Sequence, residues 1–323
     1  MFNIFITSFR STTFAVLEIL LLGLCGFMLI RRRIISHEGL DALSKLVVEI
    51  TMPLFVLTQL ILRFNFSLYP KWYILPFVSA LITLGGFVLG WIMLKFSSGK
   101  PDKNKAFISL IGFQNSGYLV FPLIITLLPK DAADSMLIYL FLFLLGFNLT
   151  VWSVGAYLLS SGRSKRFEMG SLFTPVVGAI LAGLLIVILR VDRIIPDVII
   201  RPFKLIGECT IPLAMIVVGG NLALIDFSAS TDRKLLFNVV LAKLILLPVL
   251  ALAVIFLANP AYLIGLLIII EAAVPSATSL SVISRHYKSE NIDFIGQGIF
   301  WTHILSIFTI PVFISLFSVI SRI

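Results

Sequence analysis

Apolar runs of about twenty residues recur along the whole chain, separated by short polar segments. A helix of that length crosses the hydrocarbon core of a bilayer. The runs are continuous rather than alternating, and lipid cannot satisfy exposed backbone groups, so each run favours a helix. The pattern predicts an all-α membrane protein with ten transmembrane helices, at 12–30, 40–62, 72–95, 105–128, 134–159, 171–190, 202–224, 234–257, 261–284 and 293–320.

Composition and charge support a membrane protein. Hydrophobic residues make up 59% of the 323 residues and charged residues 13%, about half of what soluble domains carry. The net charge is +9, but the basic residues cluster in short loops and form no stripe for nucleic acid. We expect a lipid bilayer and no nucleic acid as partner. Lys and Arg are more frequent in the loops on one side, which include 31–33 and 95–105. This predicts a bacterial inner-membrane protein with both termini outside and a retained first helix.

Residues typical of enzymes and metal sites do not form sets in this sequence. Cys25 and Cys209 both lie in apolar runs, and His37, His286 and His303 are dispersed. The sequence has no phosphate-binding loop ending in Lys-Ser/Thr, no zinc-protease motif and no nucleophile elbow. We therefore expect a non-enzyme without a metal or a cofactor, apart from coupling to Na⁺ or H⁺.

The two halves of the chain resemble each other. The segment from Lys45 to Leu54 shares its Lys, Glu, Thr and Pro positions with the segment from Lys204 to Leu213. These residue types are uncommon in apolar runs, although the match can also arise by chance in a biased composition. Five helices per half place the second half in the opposite orientation. The sequence thus predicts a 5+5 inverted repeat, with halves 1–159 and 171–323 and a cytoplasmic linker at 160–170.

The fourth and ninth spans contain polar and helix-breaking residues near their centres. Such residues predict helices that break and cross halfway through the membrane, which is typical of a transporter binding site. A half-helix that starts there offers unpaired N–H groups to an anion such as a carboxylate. The alternative is a simple proline kink in each helix. The candidate substrate-binding residues are Asn115, Ser116, Gly117, Pro275, Ser276 and Thr278, and the candidate helix breakers are Pro122 and Pro275.

Ionisable side chains inside apolar spans are costly and therefore candidates for function. Glu271 and Lys243 lie near the middle of their spans, and Gln114 lies in the first break. These three residues are candidates for coupling to sodium or protons, while a structural ion pair between Glu271 and Lys243 is an equal alternative. We expect structural roles for Glu49 and Glu208, and a hydrogen-bonded packing role rather than a proton relay for His303.

Three stretches, in order, resemble the auxin efflux carrier family. They are Gln114–Tyr118 followed by Phe121-Pro122-Leu123, then Glu208–Leu222, then Ala272–Thr278 followed by Tyr287. The similarity covers nearly the whole chain. The absence of a long central polar loop resembles the compact prokaryotic members more than the plant PIN-FORMED carriers.

The resemblance implies a fold related to the bile-acid:sodium symporters. Helices one, two, six and seven would form a dimerising scaffold, and helices three to five and eight to ten an elevator-like transport domain. The implied substrates are carboxylates such as malate, malonate or auxin, with Asn115 as the substrate contact of the first break and Pro275 as the proline of the second. Unlike the family pattern, the second break has no Asn. The alternative is a sodium or proton antiporter or symporter of related fold with a different substrate.

Overall fold

The computed structural model describes residues 1–97, 103–155, 158, 173–227, 232–286 and 291–321. These residues are helical and contain no strand longer than an isolated bridge, which confirms the all-α prediction. The helices are α1 Phe2–Arg31, α2 His37–Arg63, α3 Ile74–Lys95, α4 Asn104–Gly112, α5 Val120–Leu127, α6 Lys130–Val154, α7 Pro175–Ile188, α8 Asp197–Ala223, α9 Arg233–Ala258, α10 Tyr262–Ala273, α11 Ser279–His286 and α12 Ile292–Ile320.

Within the described residues, seven helices are long and apolar enough to cross a membrane: α1, α2, α3, α6, α8, α9 and α12. Two shorter apolar helices, α7 and α10, have 14 and 12 residues. Side chains such as Phe77, Leu185 and Leu257 are exposed on the outer surface. Such an apolar surface matches lipid rather than water. The count of ten spans and the inverted repeat stay predictions.

Several helix boundaries differ from those predicted. α1 begins at Phe2 rather than at 12, because the helix continues through the polar stretch before Phe14. Arg10 is exposed within it, with its guanidinium 5.7 Å from the centre of the Phe14 ring. Likewise α6 begins at Lys130 rather than 134, directly after Pro129. α8 begins at Asp197 rather than 202, directly after Pro196. The predicted linker at 160–170 lies outside the described residues.

The helices pack in two groups. In one, α1 packs against the second half of α8, and α2 against α7 and the first half of α8. In the other, α3 packs against α4 and α6, while α9, α10 and α12 pack against one another. α1 also packs along α12 and joins the groups.

Small residues allow the closest approaches between helices. A Cβ on Gly86 of α3 would stand 2.7 Å from the Cα of Gly112 in α4, and a Cβ on Gly146 of α6 would stand 2.1 Å from the carbonyl oxygen of Pro76 in α3. Glycine is therefore required at both contacts, as is common between membrane helices. The contact at Gly86 sets α4 against α3 next to the interruption that follows Gly112, and the contact at Gly146 sets α6 against α3.

Candidate functional site: the crossing of two interrupted helices

Two helical spans are interrupted at the same place in the molecule. α4 ends at Gly112 and α5 begins at Val120, while α10 ends at Ala273 and α11 begins at Ser279. The two connecting segments run antiparallel and form a short bridge in which Gln114 opposes Ser276. The amide of Asn115 donates to the carbonyl of Pro275, and that of Ala277 donates to the carbonyl of Phe113, at 3.0 Å each.

The bridge satisfies backbone groups that the helix interruptions release. Non-helical backbone inside a membrane protein needs such internal partners, because lipid offers none. Pro275 has no N–H and only accepts here, which suits its place in the bridge. The first interruption lies upstream of Pro122, which sits in the first turn of α5, where a missing N–H costs little.

Ser276 connects the second break to α4 and α12 by hydrogen bonds. Its hydroxyl donates to the carbonyl of Leu110 in α4 at 2.6 Å, and its amide donates to the hydroxyl of Thr302 in α12 at 3.3 Å. Gln114 accepts a longer bond from Thr83 of α3, at 3.4 Å. Gln114, Ser276, Thr83 and Thr302 have no exposed surface. The crossing is therefore held by polar side chains from several helices.

Two charged side chains are completely buried beside the crossing. The Ser116 hydroxyl donates to Glu271 Oε2 at 2.5 Å, and Lys243 Nζ donates to the carbonyl of Ile111 at 3.2 Å. Lys243 lies in a π-helical turn of α9, Ala242–Leu246, and such turns are frequent at functional sites. Its ammonium meets the carboxyl end of α4, where the helix dipole favours a cation. Glu271 and Lys243 form no ion pair within 4.0 Å, but the two groups are close enough to interact electrostatically.

Asn115 has a side-chain partner that sequence reasoning did not connect to it. Its Nδ2 lies 3.0 Å from Nε2 of His303 in α12, and Nδ1 of His303 lies 2.8 Å from the carbonyl of Ile299. A carbonyl only accepts, so Nδ1 carries the ring hydrogen. In the neutral ring Nε2 therefore accepts from Asn115. The only sequence signal was a histidine in an apolar span, which does not identify a partner.

Several buried polar atoms at the crossing have no partner among the residues that the structure describes. They are Glu271 Oε1, Gln114 Nε2, Thr278 Oγ1 and Ser109 Oγ. Unpaired buried polar atoms cost free energy, of order 1–3 kcal/mol each. Such atoms are typical of places that bind a ligand, ion or water. Gly117, by contrast, has open space where a Cβ would stand.

Two cavities border this region. The first, the polar cavity, has a volume of about 160 Å³. Its wall includes Thr278 of the second break, Arg285 of α11, Asp293 of α12, His37 of α2 and Asn221 of α8. An apolar one of about 330 Å³ lies between α1 and α8 on one side and α5 and α12 on the other, with His303 in its wall. Of the predicted site residues, Thr278 lines the polar cavity, and Asn115 is bonded to His303 in the wall of the apolar one.

Glu49 and Glu208 stand apart from this centre. Both are exposed, and Glu208 lies 3.8 Å from Lys204 one turn earlier in α8. Neither carboxylate contacts the crossing in the described part of the chain, and their structural roles stay predictions.

Comparison with known proteins decides the family. The family model described as "Membrane transport protein" matches residues 11–170 and 163–314, which is nearly the whole chain. The chain belongs to this family, that of the auxin efflux carriers. A protein of Methanothermobacter thermautotrophicus described as an "Uncharacterized transporter" is similar, with 22% identity over 306 residues, covering 94% of this chain and 97% of that protein.

Membership of the auxin efflux carrier family makes the chain a multi-pass membrane transporter and not an enzyme. This confirms the family assignment made from the three sequence stretches. In the described part of the chain, no cluster of His, Cys, Asp and Glu is arranged to hold a metal ion.

Proposed function

We propose that this auxin efflux carrier family member is a secondary carrier for a small carboxylate, bound where the two interrupted helices cross. The observation that carries the proposal is the buried antiparallel bridge between the breaks. α5 and α11 both begin beside it, so two positive helix ends point toward one place. Asn115, Ser116, Gly117, Pro275, Ser276 and Thr278 would line the substrate site, since polar groups with directed hydrogen bonds fix the orientation of a carboxylate.

The packing supports an elevator-like movement. α1, α2, α7 and α8 would form the scaffold, and the remaining helices the transport domain that carries the crossing. The apolar cavity lies between helices of these two groups. Few polar contacts would have to break there when the transport domain moves along the scaffold. We further propose a homodimer through the scaffold, a 5+5 inverted repeat and location in the bacterial inner membrane with both termini outside.

Replacing Asn115 tests the substrate site. In proteoliposomes with purified protein, we expect Asn115→Ala to lower the uptake of malonate, malate and indole-3-acetate at least about tenfold, because a hydrogen bond to a charged group contributes roughly 1.5–3 kcal/mol. The matched control is Asn148→Ala, whose Nδ2 bonds to the carbonyl of Leu144 within its own helix. Wild-type uptake by the Asn115 variant, for an acid that the unchanged protein transports, would contradict the proposal.

A sodium or proton antiporter of related fold is the second candidate. The observation in its favour is the buried Glu271, whose Oε1 has no hydrogen-bond partner among the described residues. In that case Glu271→Gln abolishes ²²Na⁺ or proton flux, while Glu18→Gln on the exposed side of α1 leaves it unchanged. Carboxylate uptake that survives Glu271→Gln without any ion flux in the wild type would exclude this candidate.

A further inference from the structure

We propose that His303 takes up one proton with each anion and thereby turns the Asn115 amide toward the substrate, so that the carrier moves an apolar monocarboxylate together with a proton. This inference rests on the proposed function and names its coupling ion and substrate class. It starts from the hydrogen-bond chain that runs from Ile299 through His303 to Asn115.

In the neutral state, the pair holds Asn115 in an orientation that does not suit an anion. His303 Nδ1 keeps its hydrogen on the Ile299 carbonyl, so Nε2 must accept from Asn115 Nδ2. One N–H of the amide is thus used up inside the protein. No partner for Oδ1 of Asn115 is found among the described residues, and this oxygen repels a carboxylate.

Protonation reverses this arrangement. A proton from the water of the open compartment adds to the lone pair of Nε2, and a new N–H bond forms there while the Nδ1 bond to Ile299 stays. Nε2 now donates and needs an acceptor, so the Asn115 amide rotates by half a turn and offers Oδ1 to the ring. The Nδ2 donors of Asn115 then stand on the opposite side, where they can bond to a carboxylate.

The surroundings favour binding of proton and anion together. The cavity wall that contains His303 is otherwise built of aliphatic and aromatic side chains apart from the Ser306 hydroxyl, including Leu24, Phe27, Leu119 and Phe300. A lone imidazolium or a lone carboxylate is costly in such a place, whereas the two charges offset each other. The same wall suits a substrate with an apolar body.

Other charges do not replace His303 in this role. The cavity wall contributed by α1, α5 and α8 contains no charged side chain. Beside the crossing, Glu271 is bonded to Ser116 and Lys243 to Ile111. Further charged groups on the surrounding helices lie toward exposed surface or helix ends: Arg10, Glu18, Arg31, Asp197, Arg201, Lys204, Glu208, Arg233, Lys234, Arg285 and Asp293.

Calorimetry on the purified full chain tests the inference, with indole-3-acetate as the probe. A carboxyl group has a pKa of about 4, so the probe itself does not titrate between pH 6.5 and 8.5. Titrations in buffers of different ionisation enthalpy count the protons that bind with it. We expect uptake of about one proton per anion and a Kd that rises about tenfold per pH unit toward high pH.

The variant His303→Gln separates proton coupling from packing. Glutamine can still bond to Asn115 but binds no proton, so we expect a Kd that does not change with pH and no proton uptake. Asn148→Ala, which removes a bond to the Leu144 carbonyl within one helix, is the control and keeps both wild-type properties. If His303 only served packing, a folded glutamine variant would keep the pH dependence of the wild type. A folded variant that has lost this pH dependence therefore identifies His303 as the proton site.

The outcomes are distinguishable from failure of the proposed function. Binding by the wild type without proton uptake overturns the inference and leaves the carrier proposal intact; this measurement does not require a folded variant. If indole-3-acetate does not bind at any pH, the inference is also overturned. In that case, uptake of malonate into proteoliposomes would still support the carrier proposal. If His303→Gln retains proton uptake, His303 is not the proton site.

Discussion

At the scale of single residues, Ser276 is the side chain that joins the two breaks. Its hydroxyl crosses to the Leu110 carbonyl and its backbone lies in the bridge with Gln114. A buried hydroxyl that satisfies a helix-end carbonyl contributes about 1 kcal/mol, and its loss leaves the carbonyl without a partner at a cost of about 1–3 kcal/mol. Ser276 is thus a structural residue of the crossing as well as a candidate substrate contact.

We expect Ser276→Ala to lower the melting temperature of the detergent-purified protein by several degrees, in line with a loss of about 1–3 kcal/mol. Ser135→Ala removes a hydroxyl that bonds only to Asp131 within its own exposed turn. That control should melt with the wild type. Equal melting of all three proteins would show that the hydroxyl does not hold the crossing together.

At the scale of helices, α3 and α4 approach so closely at Gly86 that any side chain there meets the backbone of Gly112. The neighbouring Gly85 has no atom within 4 Å of where its Cβ would stand. Because Gly112 is the last residue of α4, a displacement of Gly112 at this contact also displaces the first break, which follows it. The two adjacent glycines therefore differ sharply in what they tolerate.

Gly86→Ala should destabilise the protein and impair transport, since α3 and α4 must separate to admit a methyl group next to the crossing. Gly85→Ala is the matched control. It should be neutral or stabilise the helix by about 0.5–1 kcal/mol, because alanine loses less backbone freedom than glycine on folding. Thermal melting and carboxylate uptake are measured for both. A Gly86 variant as stable and active as the Gly85 variant would contradict this packing.

The helices themselves were largely predictable, and the contacts between them were not. Apolar runs identified the seven long helices of the described residues, since lipid requires length and apolarity of each segment by itself. Pro275 and the polar residues around Asn115 indicated breaks, because backbone preferences are local. The bonds from His303 to Asn115 and from Ser116 to Glu271 depend on how distant helices are rotated against each other, and no local pattern fixes that rotation. The extension of α1 to Phe2 was missed because polar residues interrupt its apolar run.

At the scale of the whole molecule, two features match a carrier. A polar cavity and an apolar one border the buried polar crossing, and an apolar surface surrounds the helices. Burial of a charged group destabilises a protein by several kcal/mol. The presence of both Glu271 and Lys243 near the crossing therefore indicates a functional role rather than a contribution to stability.

The predicted orientation places Lys71 outside and Ser36 inside the cell. In a background with Cys25 and Cys209 replaced by Ser, Lys71→Cys should react with a membrane-impermeant maleimide in intact cells, after removal of the outer membrane if one is present. Ser36→Cys should react only once the inner membrane is disrupted, since the positive-inside bias retains the loop at Arg31. The opposite labelling pattern would reverse the assignment of both termini.

The central claim is that a carboxylate binds at the crossing of the two interrupted helices, and protection of a cysteine at position 278 tests it most directly. Thr278 of the second break is 4% exposed and lines the polar cavity, and its hydroxyl has no partner in the described part of the chain. In Thr278→Cys with both native cysteines replaced, a transported carboxylate should slow alkylation several-fold at saturation. Unchanged alkylation under a carboxylate that this variant demonstrably transports would place the substrate elsewhere.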